Sequence, residues 1–151
     1  GEVIGLAGLA GHGQTRMLLR IHDAAGRRSG DTIVRGGRVF KEGGLWYEPT
    51  LIEPKSNDSE VVQQEVFGPV LDVEGYEDIE EAIELANDTD YGLNASIVGP
   101  QKEAVKIAEQ LHAGSVNVNE GFRASFASME SPMGGMKTSG MGRRNGPGGR
   151  G

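Results

Sequence analysis

Between residues 45 and 119 the apolar positions follow two periods in turn. Ile79, Ala82, Ile83 and Ala86 recur at i, i+3, i+4 and i+7, which lays one apolar stripe along a helix. Asp78 stands in front of that stripe with Glu81 three residues on, a capping-box arrangement. The polar run Asn87 to Gly92 ends it. Gln101–His112 predicts a second helix with Ala104, Ile107, Ala108 and Leu111 on one face, Gly114 as its stop and His112 in favourable contact with its dipole. Between and around the helices lie short β-branched or alternating runs. They are Trp46–Ile52, with Pro49 marking an edge or entry, then Pro69–Tyr76, Leu93–Val98 and Ser115–Asn119, whose valines fall on one face and asparagines on the other. Strand, helix, strand, helix, strand with short connections predicts an α/β fold built on a parallel βαβαβ sheet.

The ends have another pattern. Glu2–Ala7 predicts a buried strand running into Gly8-Leu9-Ala10-Gly11-His12-Gly13-Gln14-Thr15, with an arginine-bearing helix near Arg16–Asp23. Gly134–Gly146 has no apolar period and predicts a loop. Three segments result: a strand–loop–helix over 1–30, the main α/β region over 31–146, and a Gly-rich tail, 147–151, expected to be disordered.

Composition sharpens these divisions. Glycine is 25 of 151 residues, about twice the typical ~7%. Eleven glycines fall in residues 1–44, eight in 134–151 and six between. Charge divides the same way: +3 in residues 1–44, −14 in 45–133 and +4 in 134–151, within a net charge of −7. Such an acidic chain lacks the basic face that supplies most nucleic-acid affinity. With no cysteine there is no disulfide, thiolate metal site or thiol nucleophile. His12, His22 and His112 lack metal-ligand spacing, so no metal is expected. No apolar run approaches the ~20 residues of a membrane span, and Gly1–Ala10 lacks the basic start of a signal peptide. These features predict a cytoplasmic protein. Gly140-Met141-Gly142 superficially matches a dinucleotide fingerprint but follows no strand and opens no helix.

The N-terminal loop comes close to the phosphate-loop pattern. Gly8 and Gly13 occupy its glycine positions, Gly11 lies between them, and Thr15 takes the metal-side hydroxyl. Gln14 stands where a lysine would contact the β- and γ-phosphates. The surviving feature is a cradle of backbone N–H groups at a helix N-terminus. Residues 1–30 resemble the degenerate second nucleotide-binding half of ATP-binding cassette ATPases that energise sugar import. No signature loop or Walker B acid follows.

A longer resemblance covers residues 31–146. Glu65-Val66-Phe67-Gly68-Pro69-Val70 matches the aldehyde dehydrogenase motif E-(I/V)-F-G-P-V. Tyr47-Glu48-Pro49-Thr50, Ala86-Asn87-Asp88-Thr89, Tyr91-Gly92-Leu93, Ala113–Asn119 and Pro132–Lys137 follow in family order, as do Ser139 and Gly140. Val116–Glu120 with Ser131–Gly140 and Arg143-Arg144 is most similar to actinobacterial succinate-semialdehyde dehydrogenases. The resemblance implies part of the aldehyde dehydrogenase catalytic domain and NAD- or NADP-dependent oxidation of a small aldehyde, succinate semialdehyde by its motifs, to the acid. It implies that Glu65 accepts hydrogen bonds from the nicotinamide ribose and that Phe67 packs against the nicotinamide. Asn119 and Met133 would line the aldehyde tunnel, with Ser128 and Arg123 facing a substrate carboxylate. Oligomers are usual in this family.

The departures matter as much. The family's nucleophile is a cysteine that forms a thiohemiacetal and then a thioester, and this chain has none. The glutamate base and nucleotide-binding domain that precede the region are also missing, and the family's C-terminal tail is replaced by Gly146–Gly151. No residue here is therefore a catalytic candidate, cofactor binding by this region alone is doubtful, and the isolated chain is expected not to turn over aldehyde. Two alternatives stand beside this reading: a transporter ATPase remnant centred on the N-terminal loop, and a non-catalytic module docking onto a full-length dehydrogenase through Ser115–Asn119.

Overall fold

The computed structural model describes residues 30–39, 47–121 and 123–146. These fall in two compact units, one ending at Gly75 and the other beginning at Tyr76. The predicted strand, loop and helix over residues 1–29, Trp46 and the tail 147–151 lie outside the described residues.

The first unit is a three-stranded sheet of β1 (Thr32–Arg35), β2 (Thr50–Glu53) and β3 (Val70–Asp72), ordered β1-β2-β3. β1 runs antiparallel to β2, with a bulge between Ile33 and Arg35, and β3 runs parallel to it. A single helical turn, α1 (Glu60–Gln63), precedes β3 and buries Val61. On β2 the alternation is sharp: Thr50 and Ile52 are 4% and 3% exposed. The buried Thr50 hydroxyl donates to the Glu48 carbonyl at 2.7 Å and accepts from the Gly37 N–H at 2.8 Å, so its burial leaves no orphan group. That approach needs glycine beside it. Gly36 has φ +88°, and a Cβ there would lie 2.3 Å from the Pro49 carbonyl. Arg38 and Glu48 close the sheet's approach with a two-pronged ion pair at 2.9 and 3.0 Å. The Arg38 hydrogen bond holds the Glu48 carboxyl below the usual glutamate range. Asp31 accepts from the Lys55 N–H and the Ser59 hydroxyl, both at 2.7 Å, fastening the start of α1 to the entry of β1.

In the second unit α2 spans Ile79–Asn87 and α3 Gln101–Ala108, with β4 (Asn94–Ile97) and β5 (Ser115–Val118) paired parallel. A five-residue helix, α4 (Arg123–Ala127), and a 3-10 turn at Lys137–Ser139 follow. The cap of α2 is as expected on one side: Asp78 Oδ1 accepts from the Glu81 N–H at 2.9 Å. The reciprocal contact reaches one residue further back, from the Glu77 N–H to Glu81 Oε2 at 2.6 Å. Ala95, Ile97, Ala104 and Leu111 form the core, joined by Ile83, Ala86, Ile107, Val116 and Val118. Burying each large aliphatic side chain contributes about 1.5–3 kcal/mol.

The α/β class with parallel strands is as the pattern predicts, and β4–α3–β5 is the expected βαβ unit. The single βαβαβ sheet is corrected in one respect. β3 pairs with β2 in a sheet separate from β4–β5, because the 47–52 run supplies it with a parallel neighbour. α3 ends at Ala108, four residues before the predicted His112. Gln110 and Leu111 N–H groups turn back to Ile107 and Ala108 carbonyls, and Asn87 takes over the next backbone groups. Its Oδ1 accepts from the His112 N–H at 2.7 Å and its Nδ2 donates to the Gln110 carbonyl at 2.9 Å. His112 therefore lies past the helix end, outside the last turn where the sequence placed it. β1, α1 and α4 were not predicted; each is five residues or shorter, too brief to display a period.

Asp72 and Glu74 lie two residues apart on the β3 segment and are half-buried. Burial pushes the Asp72 carboxyl above its ordinary value, and burial followed by the Asp72 charge does the same to Glu74. The folded state then holds the Asp72 proton more tightly than the unfolded chain does, so stability falls as pH rises from the ordinary aspartate range through the raised one. Asp72→Asn should melt higher than wild type at neutral pH and at the same temperature in acid below that range. Thermal melts across that span check it, and a variant melting lower at neutral pH would contradict it.

Candidate cofactor and substrate site

Glu65 and Phe67 lie in the first unit, in the loop between α1 and β3. α1 stops at Gln64, whose extended backbone leaves the helix. Two tight turns follow, with the Gly68 N–H bonded to the Val66 carbonyl and the Val70 N–H to the Gly68 carbonyl, both at 2.8 Å. The Pro69 carbonyl accepts from the Thr50 N–H at 2.8 Å, which locks the loop to the central strand. This rigid mounting holds Phe67 40% exposed. Two residues earlier, Glu65 Oε1 is buried without a hydrogen-bond partner. A buried carboxylate oxygen left unpaired costs a few kcal/mol. Such an atom fits a site that takes its donors from a ligand. Tyr47 Oη is the other buried side-chain polar atom without a partner among the described residues, and burial raises the proton affinity of its phenolate.

Asn119, Arg123, Ser128 and Met133 lie in the second unit. Asn119 directly follows β5 with φ +58°, a conformation that asparagine tolerates better than most residues. Its amide pairs both ways with the backbone of one residue, accepting from the Gly99 N–H at 2.9 Å and donating to the Gly99 carbonyl at 3.0 Å. The amide is thus committed to holding β4 and β5 together at their ends. Arg123 opens α4. Ser128 is exposed, its hydroxyl 2.6 Å from that of Ser131. Met133 is buried at 9% exposure. Its backbone pairs with Arg144 in an antiparallel bridge at 2.7 and 2.8 Å, and its sulfur accepts from Arg144 Nη2 at 3.7 Å. Gly8, Gly11, Gly13, Gln14 and Thr15 lie outside the described residues.

The glycine-rich segment after Met133 is tied down along its length. The Met136 N–H reaches the Gly92 carbonyl at 2.8 Å, and the Ser139 hydroxyl accepts from the Gly92 N–H at 2.9 Å. Lys137 Nζ donates to the Asn87 and Thr89 carbonyls at 2.6 and 2.7 Å, placing a cation at the C-terminus of α2 where the helix dipole favours it. This packing holds the backbone between Met133 and Arg144 against the end of α2.

A polar network also emerges on the face of β4–β5 away from the aliphatic core. Asn94 Nδ2 donates to Ser125 Oγ at 3.0 Å, and Asn117 Nδ2 reaches Asn94 Oδ1 and Ser125 Oγ, each at 3.2 Å. It docks α4 onto the sheet. The asparagine face of Ser115–Asn119 was its signal, yet the partners Asn94 and Ser125 carried none. Among the described residues no cluster of histidine, aspartate and glutamate is placed to hold a metal ion, and no helix is long and apolar enough to cross a membrane.

Residues 12–150 match the aldehyde dehydrogenase family, and the chain belongs to that family. The match takes in residues 12–30, so most of the segment read from the sequence as a separate phosphate-loop-like piece falls within the aldehyde dehydrogenase match. One relative, a putative succinate-semialdehyde dehydrogenase [NADP(+)] from Mycolicibacterium smegmatis, is 47% identical over 122 residues, 80% of this chain and 24% of the relative. A second protein so described, from Mycobacterium ulcerans, is 41% identical over 95% of this chain and 28% of its own length. Among solved structures, a point mutant of betaine aldehyde dehydrogenase from Staphylococcus aureus, in complex with NAD+, aligns with a TM-score of 0.78 at 35% identity. It covers 94% of this chain and 29% of that one. The chain spans about a quarter of the length of the relatives it matches.

Proposed function

We propose that these residues build the cofactor-side and aldehyde-side walls of an NAD(P)-dependent dehydrogenase oxidising succinate semialdehyde, or a closely similar small aldehyde, to its acid. The observation that carries this is the buried, unpartnered Glu65 Oε1 two residues from the exposed Phe67 ring. An ionised carboxylate is an acceptor only, so Glu65 fits the paired hydroxyls of a ribose. Phe67 fits an aromatic ring packed at its face. The bound nicotinamide would supply the hydride acceptor; the work of this chain is to hold and orient it. The names of the two mycobacterial relatives support NADP and the semialdehyde.

On the aldehyde side the Ser128–Ser131 hydroxyl pair uses one O–H internally and leaves the other to donate to a substrate carboxylate. Arg123, the first residue of α4, is a second candidate for that carboxylate. Met133 contributes from within the packed segment and so shapes the wall through its backbone more than through an exposed thioether. The nucleophile comes from outside these 151 residues, which contain no cysteine.

An exchange experiment tests the reading: the matching region of the M. smegmatis relative is replaced by residues 31–146 of this chain. The chimera should form NADPH from NADP+ and succinate semialdehyde, whereas the purified chain should form none. Ser128→Ala in the chimera should raise KM for the semialdehyde about tenfold, the loss of one hydrogen bond to a charged group, with little change for an uncharged aldehyde of similar length. NADPH formation by the chain alone, or a folded chimera without activity, would contradict the proposal.

A further inference from the structure

Of the six asparagines in the chain, one is followed by glycine: Asn145, before Gly146. The fold treats it unlike the others. The amides of Asn87, Asn94, Asn117 and Asn119 are spent on hydrogen bonds of 2.7–3.2 Å. The N–H that follows Asn87 is itself held by the Glu84 carbonyl at 2.9 Å. Among the described residues, neither the Asn145 side-chain amide nor the Gly146 N–H has a hydrogen-bond partner. Both residues are half-buried, with φ of +63° and +68°. Gly146 lies close against residues 130–132. A Cβ there would stand 2.9 Å from the Glu130 carbonyl oxygen and 3.0 Å from the Pro132 ring. Glycine is therefore the residue the position accepts, and its nitrogen has no side chain to shield it.

We propose that Asn145 is a self-modification site, at which the chain converts its own asparagine to aspartate and isoaspartate. The Gly146 nitrogen, on losing its proton to hydroxide, attacks Asn145 Cγ. A new C–N bond forms, the bond from Cγ to the side-chain nitrogen breaks, and that nitrogen takes up a proton and leaves as ammonia. The resulting five-membered succinimide adds one water at either of its two carbonyls. Opening at one gives aspartate; opening at the other gives isoaspartate, with the main chain routed through Cβ and Cγ. Water is consumed and ammonia released, and nothing is oxidised or reduced. Either product sets a new negative charge beside Arg144, whose guanidinium reaches the Met133 sulfur at 3.7 Å. Isoaspartate also lengthens the main chain by one carbon directly after the Met133–Arg144 bridge. That bridge holds the segment bearing Met133, so the modification loosens the aldehyde-side wall. This last step rests on the functional reading above.

The test incubates the full 151-residue chain in mildly acidic and mildly alkaline buffer, followed by proteolysis and mass spectrometry. The peptide carrying Asn145 should gain one mass unit at least about tenfold faster than peptides carrying the other asparagines, because an intramolecular attack is governed by how freely its two groups meet. The rate should rise with pH, and an isoaspartyl methyltransferase should label the product. Asn145→Gln, which would have to close a six-membered ring, should keep its mass. This readout needs no catalytic activity and is independent of the dehydrogenase reading. In the active chimera, aged wild type should show a severalfold higher KM for the semialdehyde, and Asn145→Gln aged in parallel should not. An Asn145 peptide that changes no faster in the folded chain than those of Asn57 or Asn87, or a rate indifferent to pH, would overturn the proposal. Modification at Asn145 with unchanged kinetics in the aged chimera would uphold the site and overturn its link to the aldehyde-side wall.

Discussion

Gly114→Ala is expected to lower the melting temperature by roughly 10 °C. A Cβ at Gly114 would lie 1.6 Å from the Gly134 carbonyl oxygen and 2.7 Å from its carbon. Both are backbone atoms, so no side chain can rotate away. The contact cannot be relieved locally either, because a Cβ on Gly134 would itself lie 2.3 Å from the Gly142 carbonyl. Moving the segment would break the Met133–Arg144 bridge and the Arg143 contacts to the Gly114 and Gly134 carbonyls. Overpacking alone costs about 1–3 kcal/mol, and the lost hydrogen bonds bring the total to about 3 kcal/mol or more. At ~2–4 °C per kcal/mol for a chain of this size, the shift is large. Gly121→Ala is the control, since among the described residues nothing comes within 4 Å of where its Cβ would stand. Equal melting temperatures for the two variants would refute the packing account.

Glu65→Gln should have opposite effects on stability and function. In the chain alone the substitution removes a carboxylate oxygen that is buried and unpartnered, so the melting temperature should hold steady or rise. In the active chimera it removes the charge from the acceptor proposed for the ribose hydroxyls. Hydrogen bonds to charged groups contribute about 1.5–3 kcal/mol, so kcat/KM for NADP+ should fall roughly 10- to 100-fold. A residue conserving function at the expense of stability behaves in this way, whereas a structural glutamate would lose stability first. Loss of stability in the chain alone with unchanged kinetics in the chimera would contradict this assignment. Phe67→Ala in the same chimera should weaken cofactor binding and leave the fold intact, because its ring is already 40% exposed.

The periodic parts of the molecule were legible in the sequence. The Ile79–Ala86 stripe, its Asp78 cap and the alternation of Ser115–Asn119 each report a local rule, and local rules survive folding. Partnerships over long separation did not show. β3 reads as a strand from its own residues, but the choice of β2 as its neighbour depends on residues about twenty positions away. The early end of α3 depends on Asn87, whose amide serves two backbone groups more than twenty positions on. Glu65 is the sharpest case. As a single residue it reads as a surface acid, its proposed role comes only through resemblance to a family motif, and its unpaired buried oxygen is visible only in the folded chain. Asn119 shows the converse, since its amide is spent on the backbone N–H and carbonyl of Gly99, a use its position in a motif did not disclose.

Whether Glu65 faces the cofactor is decided most directly by a crystal structure of the chimera with NADP+. The Glu65 carboxylate is expected within about 2.5–3.0 Å of the nicotinamide ribose hydroxyls, with Phe67 against the ring. A cofactor bound with its ribose hydroxyls held by other groups, and Glu65 Oε1 still unpaired, would contradict it.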